Sequence, residues 1–431
     1  MKYSVVTFGC RVNQADSLVI EDGLRAGGAI AASPDEADVV VVNTCSVTAS
    51  ADQGARQIIR RIARANPDVR LVVTGCYATR QPAEVAALSN VVAVVDNLRK
   101  DDLGNRVWGL AGVSEERDPC VTTAARFGDG AGPCGQSLEP GVAGRTALTL
   151  RVQTGCEEQC SYCIIPRTRG KSRSKPLSVI VADVARAVAA GYKEIAITGV
   201  HLGSYGRDLG DASSLTTLIE KLGEWPDDVL FRISSLEPMD CTPEIVARVA
   251  SSPRVAPHLH LPLQHGSDDI LRAMKRPYTV RKYQELIDRI STAMPSASIG
   301  SDVIVGFPGE SAGHFATMRS VLERLALSYL HVFPYSDRPG TVAAGLQSKV
   351  PGGDIRDRAR EIRAIGETMA RRFRESQTGN TLRALTVDDG QSVVTENYLK
   401  LRLDRACKRN EWVSVRVESD RQGTVVAGAS R

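Results

Sequence analysis

The strongest constraint on the fold is an alternation of valine-rich runs with helical patterns over the first 100 residues. The runs KYSVVTFGC, ADVVVVNTC and VRLVVTGC are each followed by a segment with helical apolar spacing, near residues 16–26, 51–65 and 82–88. Repeated strand-then-helix units with apolar strands indicate a parallel sheet that is covered on both faces. Residues 1–100 are therefore predicted to form a doubly wound parallel α/β domain.

A second series of strand–helix units begins near residue 146. Six apolar runs, ALTLRVQTG, EIAITGV, LFRISSL, HLHLPLQ, SIGSDVIVGF and YLHVFPYS, alternate with helical stretches. We place these helices at residues 177–190, 213–222, 243–250, 280–293 and 311–325. Right-handed crossovers close six such units into an incomplete (β/α)6 barrel, with its functional face at the carboxyl ends of the strands. The predicted barrel domain spans residues 146–376 and ends in a basic helix near 355–375.

Two further segments differ in composition from these domains. Residues 101–145 contain no sustained apolar period and are rich in glycine, which is typical of a linker or an insertion. Cys120 and Cys134 lie there, and we expect neither to be a metal ligand because no regular element would position them. In residues 377–431, β-branched runs are divided by turn residues, which predicts a small antiparallel β-barrel.

The composition is that of an ordinary globular protein, with 42% hydrophobic and 24% charged residues in a chain of 431. No apolar run approaches the roughly 18 residues of a membrane span, and the strand-like start does not resemble a signal peptide. Ten cysteines without an export signal favour a reducing compartment, so we expect a cytoplasmic protein whose thiols bind metal or do chemistry. The net charge of +4 is too small to argue for nucleic-acid binding by itself.

Three cysteines follow successive strands of the first domain. Cys10, Cys45 and Cys76 each come directly after the last apolar residues of a strand, so that one strand–helix unit separates each from the next. Because parallel strands end at the same edge of a sheet, we expect the three thiols to converge there. A single cysteine is commonly just a buried residue, but three at equivalent positions indicate a ligand set.

A second triplet follows the first strand of the barrel series. Cys156, Cys160 and Cys163 form the pattern C-x3-C-x2-C. Structural zinc takes four protein ligands, so three thiols alone would leave one coordination position open. An iron–sulfur cubane held by three thiolates also keeps one iron open, and that iron can bind a small molecule. Zinc and inert thiols are the weaker alternatives.

Basic residues follow this triplet with no acid among them. They are Arg167, Arg169, Lys171, Arg173 and Lys175. A run of charge is usually a solvated loop, but the position of this one beside the predicted cluster site favours contact with an RNA backbone. Affinity that depends on such contacts falls steeply with salt concentration.

The second triplet, with Tyr162 before its last cysteine, resembles the signature of radical S-adenosylmethionine enzymes. Along essentially the whole chain, the α/β domain with its own triplet, the barrel and the β-barrel tail together resemble the methylthiotransferase family. Individual stretches are similar to its MtaB-like branch, which acts on threonylcarbamoyladenosine in tRNA. These stretches are TFGCRVNQADS at 7–17, VNTCSVTASAD at 42–52, VTGCYA at 73–78, CSYCIIPRTRGKSRS at 160–174, ITGVHLGSYG at 197–206, SDVIVGFPGE at 301–310 and HVFPYSDRPGT at 331–341.

This resemblance implies a 4Fe–4S cluster at each triplet, S-adenosylmethionine in the barrel and an RNA-binding tail of the TRAM type. The cluster at Cys156, Cys160 and Cys163 would produce a 5′-deoxyadenosyl radical that removes hydrogen from C2 of the modified adenine at tRNA position 37. The cluster at the N-terminal triplet would donate sulfur or carry a methylated sulfur, and a second S-adenosylmethionine would supply the methyl group. The product would be 2-methylthio-N6-threonylcarbamoyladenosine.

The resemblance also implies tRNA as a partner and an electron donor such as a flavodoxin or ferredoxin, and we expect a monomer. Candidates for the cofactor pocket, mostly at the ends of barrel strands, are Tyr162, Gly199, His201, Ser235, Glu237, Gln264 and Asp302. Each has a structural alternative; a glycine at a strand end, for example, can simply permit a tight turn. Glu237 is favoured because an acid at the carboxyl end of a barrel strand commonly has a function.

Other functions remain open. The same chemistry could act on isopentenyladenosine or on a protein side chain. An RNA-binding iron–sulfur protein without radical chemistry is an alternative of a different class. Analysis of tRNA nucleosides separates the substrates, and formation of 5′-deoxyadenosine separates an enzyme from a binding protein.

Overall fold

The computed structural model describes residues 1–112, 146–419 and 421–426. The N-terminal sheet contains the strands β1 (Lys2–Thr7), β2 (Ile30–Ala31), β3 (Val39–Thr44), β4 (Arg70–Gly75) and β5 (Val91–Val95). All pairings are parallel, in the order β2-β1-β3-β4-β5. The helices of this domain are α1 (Arg11–Ala26), α2 (Ala49–Ala65), α3 (Cys76–Arg80), α4 (Pro82–Ala86) and α5 (Leu103–Leu110).

The valines of the central strand β3 alternate between two cores. Val40 and Val42 pack on the side of the sheet covered by α2. Val39 and Val41 pack on the opposite side, which α1 and α5 cover. Because successive side chains of a strand point to opposite faces, a run of valines is buried only in a sheet with helices on both sides. The predicted doubly wound fold is confirmed.

The N-terminal domain extends beyond its predicted elements. Helix α1 begins at Arg11, directly after Cys10, whereas the sequence pattern placed its start near residue 16. Helix α5 lies in the segment predicted as a linker and buries Val107 in the N-terminal core. Residues 113–145 of that segment, including Cys120 and Cys134, lie outside the described residues.

The middle unit contains the six predicted strands and a short additional ladder. Its strands are β6 (Leu148–Arg151), β7 (Gln153–Thr154), β8 (Arg173–Ser174), β9 (Glu194–Thr198), β10 (Leu230–Ile233), β11 (His258–His260), β12 (Ser298–Val305) and β13 (Tyr329–Pro334). Its helices are α6 (Ile165–Arg169), α7 (Leu177–Ala189), α8 (Leu215–Gly223), α9 (Pro243–Ser251), α10 (Asp268–Ala273), α11 (Val280–Ala293), α12 (Ala312–Arg324) and α13 (Gly352–Gln377).

The barrel strands run in parallel in two halves, β6-β9-β10 and β11-β12-β13. The halves meet where the N–H of Leu236 donates to the carbonyl of His260 at 2.9 Å. At the two outer strands, α1 packs against β6 and α13 packs against β13. The N-terminal domain therefore lies beside the open side of the barrel.

The tail forms a closed barrel of five strands. They are β14 (Thr381–Val387), β15 (Ser392–Thr395), β16 (Lys400–Leu403), β17 (Trp412–Ser419) and β18 (Gln422–Val425). The prediction of a purely antiparallel barrel is wrong at one position, because β18 folds back on β17 and so pairs with β16 in parallel. The tail docks on the middle unit through Asn397, whose Nδ2 donates to the carbonyl of Ser296 at 2.9 Å. Across the described ranges, no helix has both the length and the apolar character of a bilayer span.

Candidate active site

The cysteines of the N-terminal domain lie at the carboxyl ends of adjacent strands. Cys10 follows β1, Cys45 follows β3, and Cys76 begins α3 immediately after β4. Burial, together with negative charge on Cys10 and Cys76, raises the pKa of the Cys45 thiol to about 11. The structure therefore brings the three thiols to one edge of the sheet.

The backbone conformation leaves space for the cysteine sulfurs at this edge of the sheet, and nearby N–H groups donate hydrogen bonds to them. Gly9 has a left-handed φ of +91°, and a Cβ at this position would lie 2.5 Å from Cys45 Sγ. The backbone N–H of Val47 donates to Cys45 Sγ at 3.5 Å, and Asn97 Nδ2 donates to Cys76 Sγ at 3.6 Å. Such donors stabilise thiolate, the form that binds metal.

A short ladder closes the loop that carries the second triplet. Strands β7 and β8 pair antiparallel on either side of it, and the N–H of Cys156 donates to the carbonyl of Gly170 at 3.0 Å. Gly155 has φ +77°, and a Cβ there would lie 1.8 Å from the carbonyl oxygen of Lys171. Only glycine fits this position while the ladder is closed.

Charged side chains of the barrel contact two thiols of the second triplet. Arg276 Nη1 donates to Cys160 Sγ at 3.1 Å, and the same guanidinium forms a salt bridge with Glu237. His201 Nε2 lies 2.8 Å from Asp240 Oδ2; burial opposes a charge on this histidine, but Asp240 and Cys156 raise its pKa to about 10. A cation beside a thiol favours thiolate, although burial still raises the pKa of Cys160.

A single ion and a cluster require different spacings of their ligands. Tetrahedral zinc at about 2.3 Å from each sulfur would draw the sulfurs to within about 4 Å of one another. A 4Fe–4S cluster has a larger inorganic core and holds its thiolates further apart. Among the described residues, three possible ligand atoms lie within 4.8 Å of one another at His260, Asp302 and His331.

A cavity of about 770 Å³ lies where the three units meet. Its wall includes Cys10 of the N-terminal triplet and Gly199 and Ser235 from the ends of barrel strands. Asp302 is the acidic residue among the described residues of the wall. The basic ones are Arg11, Arg374, Lys400 and Arg421. The cavity is therefore open to one cysteine triplet and carries an excess of positive charge.

Side chains of the wall form a hydrogen-bonded chain. The hydroxyl of Tyr329 lies 2.9 Å from His258 Nε2 and 3.1 Å from His260 Nδ1. Asp302 Oδ1 lies 2.9 Å from His260 Nε2 and 3.1 Å from His331 Nδ1. Burial opposes the charge of Asp302, but the two histidines hold its pKa at about 2. These hydrogen bonds fix the orientation of the tyrosine and histidine rings and keep the Asp302 carboxylate at the cavity.

The predicted cofactor residues occupy two regions. Those in the cavity wall are Gly199, Ser235 and Asp302. Those beside the second triplet are Tyr162, His201 and Glu237. Gln264 belongs to neither region: its backbone has φ +66°, and its N–H donates to the carbonyl of Asp302 at 2.8 Å.

The five basic residues after the second triplet separate into two groups. Arg167, Lys171 and Arg173 are exposed, and Lys175 is partly exposed and pairs with Asp183 at 3.2 Å. Arg169, in contrast, is only 2% exposed and forms a salt bridge with Asp16 at 3.0 Å. Its guanidinium faces the N-terminal domain and not solvent, contrary to the expectation of RNA contact.

Sequence reasoning missed Arg276 and Asn97. Arg276 contacts a cysteine 116 positions away and lies in no recognisable motif, so no local signal was available. Asn97 follows β5, the strand next to β4, and therefore lies at the same edge as the cysteines. Its place at a strand end was a usable signal.

Two family models match the chain. Residues 2–96 match the family described as Uncharacterized protein family UPF0004. Residues 150–322 match the Radical SAM superfamily. These ranges correspond to the N-terminal domain and to most of the barrel.

Relatives match over nearly the whole chain. The threonylcarbamoyladenosine tRNA methylthiotransferase MtaB of Aquifex aeolicus is 37% identical over 411 residues, which cover 93% of this chain and 96% of the relative. The tRNA-2-methylthio-N(6)-dimethylallyladenosine synthase of Acidothermus cellulolyticus is 32% identical over 431 residues, or 99% of this chain and 85% of the relative. Among solved structures, the radical S-adenosylmethionine methyltransferase TsrM of Kitasatospora setae has a TM-score of 0.56 at 16% identity, with 80% of this chain and 73% of that chain covered. This likeness supports the fold.

Proposed function

The chain belongs to the radical S-adenosylmethionine methylthiotransferases, in the MtaB-like branch, and we propose that it adds a methylthio group to C2 of N6-threonylcarbamoyladenosine in tRNA. Enzymes of this family are transferases that use S-adenosylmethionine and two 4Fe–4S clusters. The observation that carries the proposal is the position of Cys10 in the wall of a cavity that extends from the carboxyl ends of β9 and β10 along β11, β12 and β13. A base held in that cavity would lie within reach of the N-terminal triplet.

We assign one cluster to each triplet. The group at Cys156, Cys160 and Cys163 would supply the radical from S-adenosylmethionine, and the group at the N-terminal triplet would supply or carry the sulfur. Arg276 and His201 support the first assignment, because each places a cation beside a thiol and so favours thiolate.

The charge of the cavity favours a threonylcarbamoyl substrate. The threonyl group carries a carboxylate, whereas a dimethylallyl group is apolar. Arg11, Lys400 and Arg421 belong to a wall whose described residues include one acid, Asp302. Positive charge around a partly enclosed site stabilises a bound anion but does not stabilise a bound apolar group.

The hydrogen-bonded chain of the wall would orient the base. Asp302 holds His260 and His331, and the hydroxyl of Tyr329 holds His258 and His260, so that none of these rings rotates freely. Groups fixed in this way bind a purine edge with little further loss of conformational entropy.

The surroundings of the site support further proposals. We infer that Arg167, Lys171, Arg173 and Lys175 contact the RNA backbone beside the cavity, with an affinity that falls as salt rises. We infer also that the protein acts as a monomer in the cytoplasm and receives electrons from a donor such as a flavodoxin or ferredoxin.

Mass spectrometry of tRNA nucleosides tests the substrate. Cells lacking this protein and any paralogue should lose 2-methylthio-N6-threonylcarbamoyladenosine, and the wild-type chain should restore it whereas Cys160→Ala should not. Loss of the 2-methylthio derivative of isopentenyladenosine instead would assign the other adenosine, and retention of both would contradict activity on tRNA. Failure of the reduced, reconstituted protein to form 5′-deoxyadenosine would contradict radical chemistry.

A further inference from the structure

Three buried cations converge on one aspartate near the N-terminal triplet. Asp16 Oδ2 lies 2.7 Å from Lys100 Nζ and 3.0 Å from Arg169 Nη2, and its Oδ1 lies 2.5 Å from Arg151 Nη1. None of these four side chains is more than 8% exposed. Arg151 also pairs at 2.6 Å with Asp101, whose carboxylate is 48% exposed. Three cations therefore face two carboxylates, and the cluster contains more positive than negative charge.

The excess positive charge faces the thiols. The charge of Arg169 interacts with both Cys76 and Cys10. Burial opposes the charge of Arg169, but Asp16 and these thiols raise its pKa. Asp16 balances only one of the three buried cations, and unbalanced buried charge is strongly unfavourable. Arg169 therefore favours negative charge at Cys76 and Cys10.

Arg169 reaches this position from the loop of the other triplet. It ends α6, which begins two residues after Cys163. Helix α6 packs against α3, whose first residue is Cys76. Asn97 Nδ2 joins the two helices, because it donates to the carbonyl of Thr168 at 2.9 Å and to Cys76 Sγ at 3.6 Å. A single helical turn thus connects the loop of one triplet to a ligand of the other.

We propose that Arg169 is a positioning residue for the N-terminal iron–sulfur site and that its charge favours the reduced form of the cluster held there. This inference rests on the proposed assignment of a cluster to Cys10, Cys45 and Cys76. Three thiolates give such a cluster a net negative charge, and reduction adds one more. A fixed cation in a site of low dielectric constant therefore stabilises the reduced form more than the oxidised form.

Redox titration of the reconstituted holoenzyme, followed by electron paramagnetic resonance, tests the proposal. Addition of S-adenosylmethionine identifies the signal of the other cluster, because the cofactor binds there. Arg169→Met leaves the salt bridges of Lys100 and Arg151 with Asp16 in place. At a fixed potential it should lower the ratio of reduced to oxidised N-terminal cluster at least tenfold. A tenfold change corresponds to a fall of about 59 mV in the one-electron reduction potential. Arg169→Lys, which keeps the charge, should change that ratio less than threefold. An unchanged ratio in Arg169→Met with full iron content overturns the proposal.

Arg167→Met is the matched control. Arg167 belongs to the same turn, is exposed, and donates through Nη1 to the carbonyl of Gly340 at 2.7 Å. Its replacement should weaken tRNA binding and leave the potential unchanged. Arg169→Met should do the reverse, with tRNA affinity within twofold of wild type. If both variants lose tRNA affinity and neither shifts the potential, Arg169 is an RNA contact and the proposal is wrong.

Two further variants separate the possible failures. If Cys45→Ala keeps all the iron of the wild type, the cluster assignment itself is wrong. If Arg169→Met does not fold, Arg169→Gln replaces it, because this change removes the charge but keeps a polar side chain beside Asn13 and Thr154. It should lower the same ratio, and an unchanged ratio overturns the proposal.

Discussion

Replacement of Gly155 by alanine should open the loop that carries the second cysteine triplet. Gly155 has φ +77°, and the added Cβ would lie 1.8 Å from the carbonyl oxygen of Lys171. The opposing atom belongs to the backbone, so no side-chain rotation relieves the clash. Strands β7 and β8, which pair Gln153 with Ser174 and Thr154 with Arg173, must separate instead.

The magnitude has two contributions. A left-handed backbone costs an alanine about 1 kcal/mol. Separation of the ladder, with the bond from Cys156 N–H to the carbonyl of Gly170, loses two or three hydrogen bonds worth about 1 kcal/mol each. The closed loop is therefore destabilised by about 3–4 kcal/mol, which lowers the ratio of closed to open loop more than about a hundredfold.

Iron analysis after anaerobic reconstitution measures the result. The wild-type chain should hold about eight irons and Gly155→Ala about four. Gly210→Ala is the control outside this loop: its φ is +71°, but no atom lies within 4 Å of its added Cβ. This control variant should be destabilised only by the cost of the left-handed backbone and should keep about eight irons. Full iron content and normal 5′-deoxyadenosine formation in Gly155→Ala would refute the reasoning.

Two other predictions concern the ligands and the cavity. Cys45→Ala and Cys160→Ala should each lose about half of the roughly eight irons, and loss of none in either variant would contradict two independent clusters. Asp302→Asn should destabilise the chain by about 2 kcal/mol near neutral pH, because the pKa of Asp302 falls from 3.8 to about 2 when its two histidines surround it. The difference from wild type in urea unfolding should decrease as the pH falls from about 4 towards 2; a difference that persists at pH 2 would show that the charge is not its source.

The alternation of valine-rich strands with helices was sufficient to predict both α/β units. It also related the cysteines of the N-terminal triplet, because a parallel sheet brings the carboxyl ends of all its strands to one edge, whereas the second triplet was recognised from the C-x3-C-x2-C spacing within one loop. Cys10, Cys45 and Cys76 could be related to one another in this way without any contact being known. The same reasoning would have included Asn97, at the end of the next strand.

Other features depend on contacts that have no local pattern. Arg276 reaches Cys160 only because α10 and the cysteine loop pack together, with the N–H of Ser161 bonded to the carbonyl of Met274. The parallel pairing of β16 with β18 depends on how the last hairpin closes the barrel. The five-residue helices α3 and α6 are too short to show an apolar period, and tertiary contacts stabilise them.

The turn that contains Arg167 and Arg169 shows why a run of charge does not define a surface. Side chains two residues apart in a helix differ in direction by about 200°, so Arg167 and Arg169 point to opposite sides. Arg167 faces solvent, while Thr168 and Arg169 face Asn97 and Asp16 of the N-terminal domain. The buried carboxylate of Asp16 in α1 is balanced by cations from other elements, and the loop of the second triplet supplies one of them, Arg169. The burial of Asp16 is a property of the fold that the sequence pattern did not indicate.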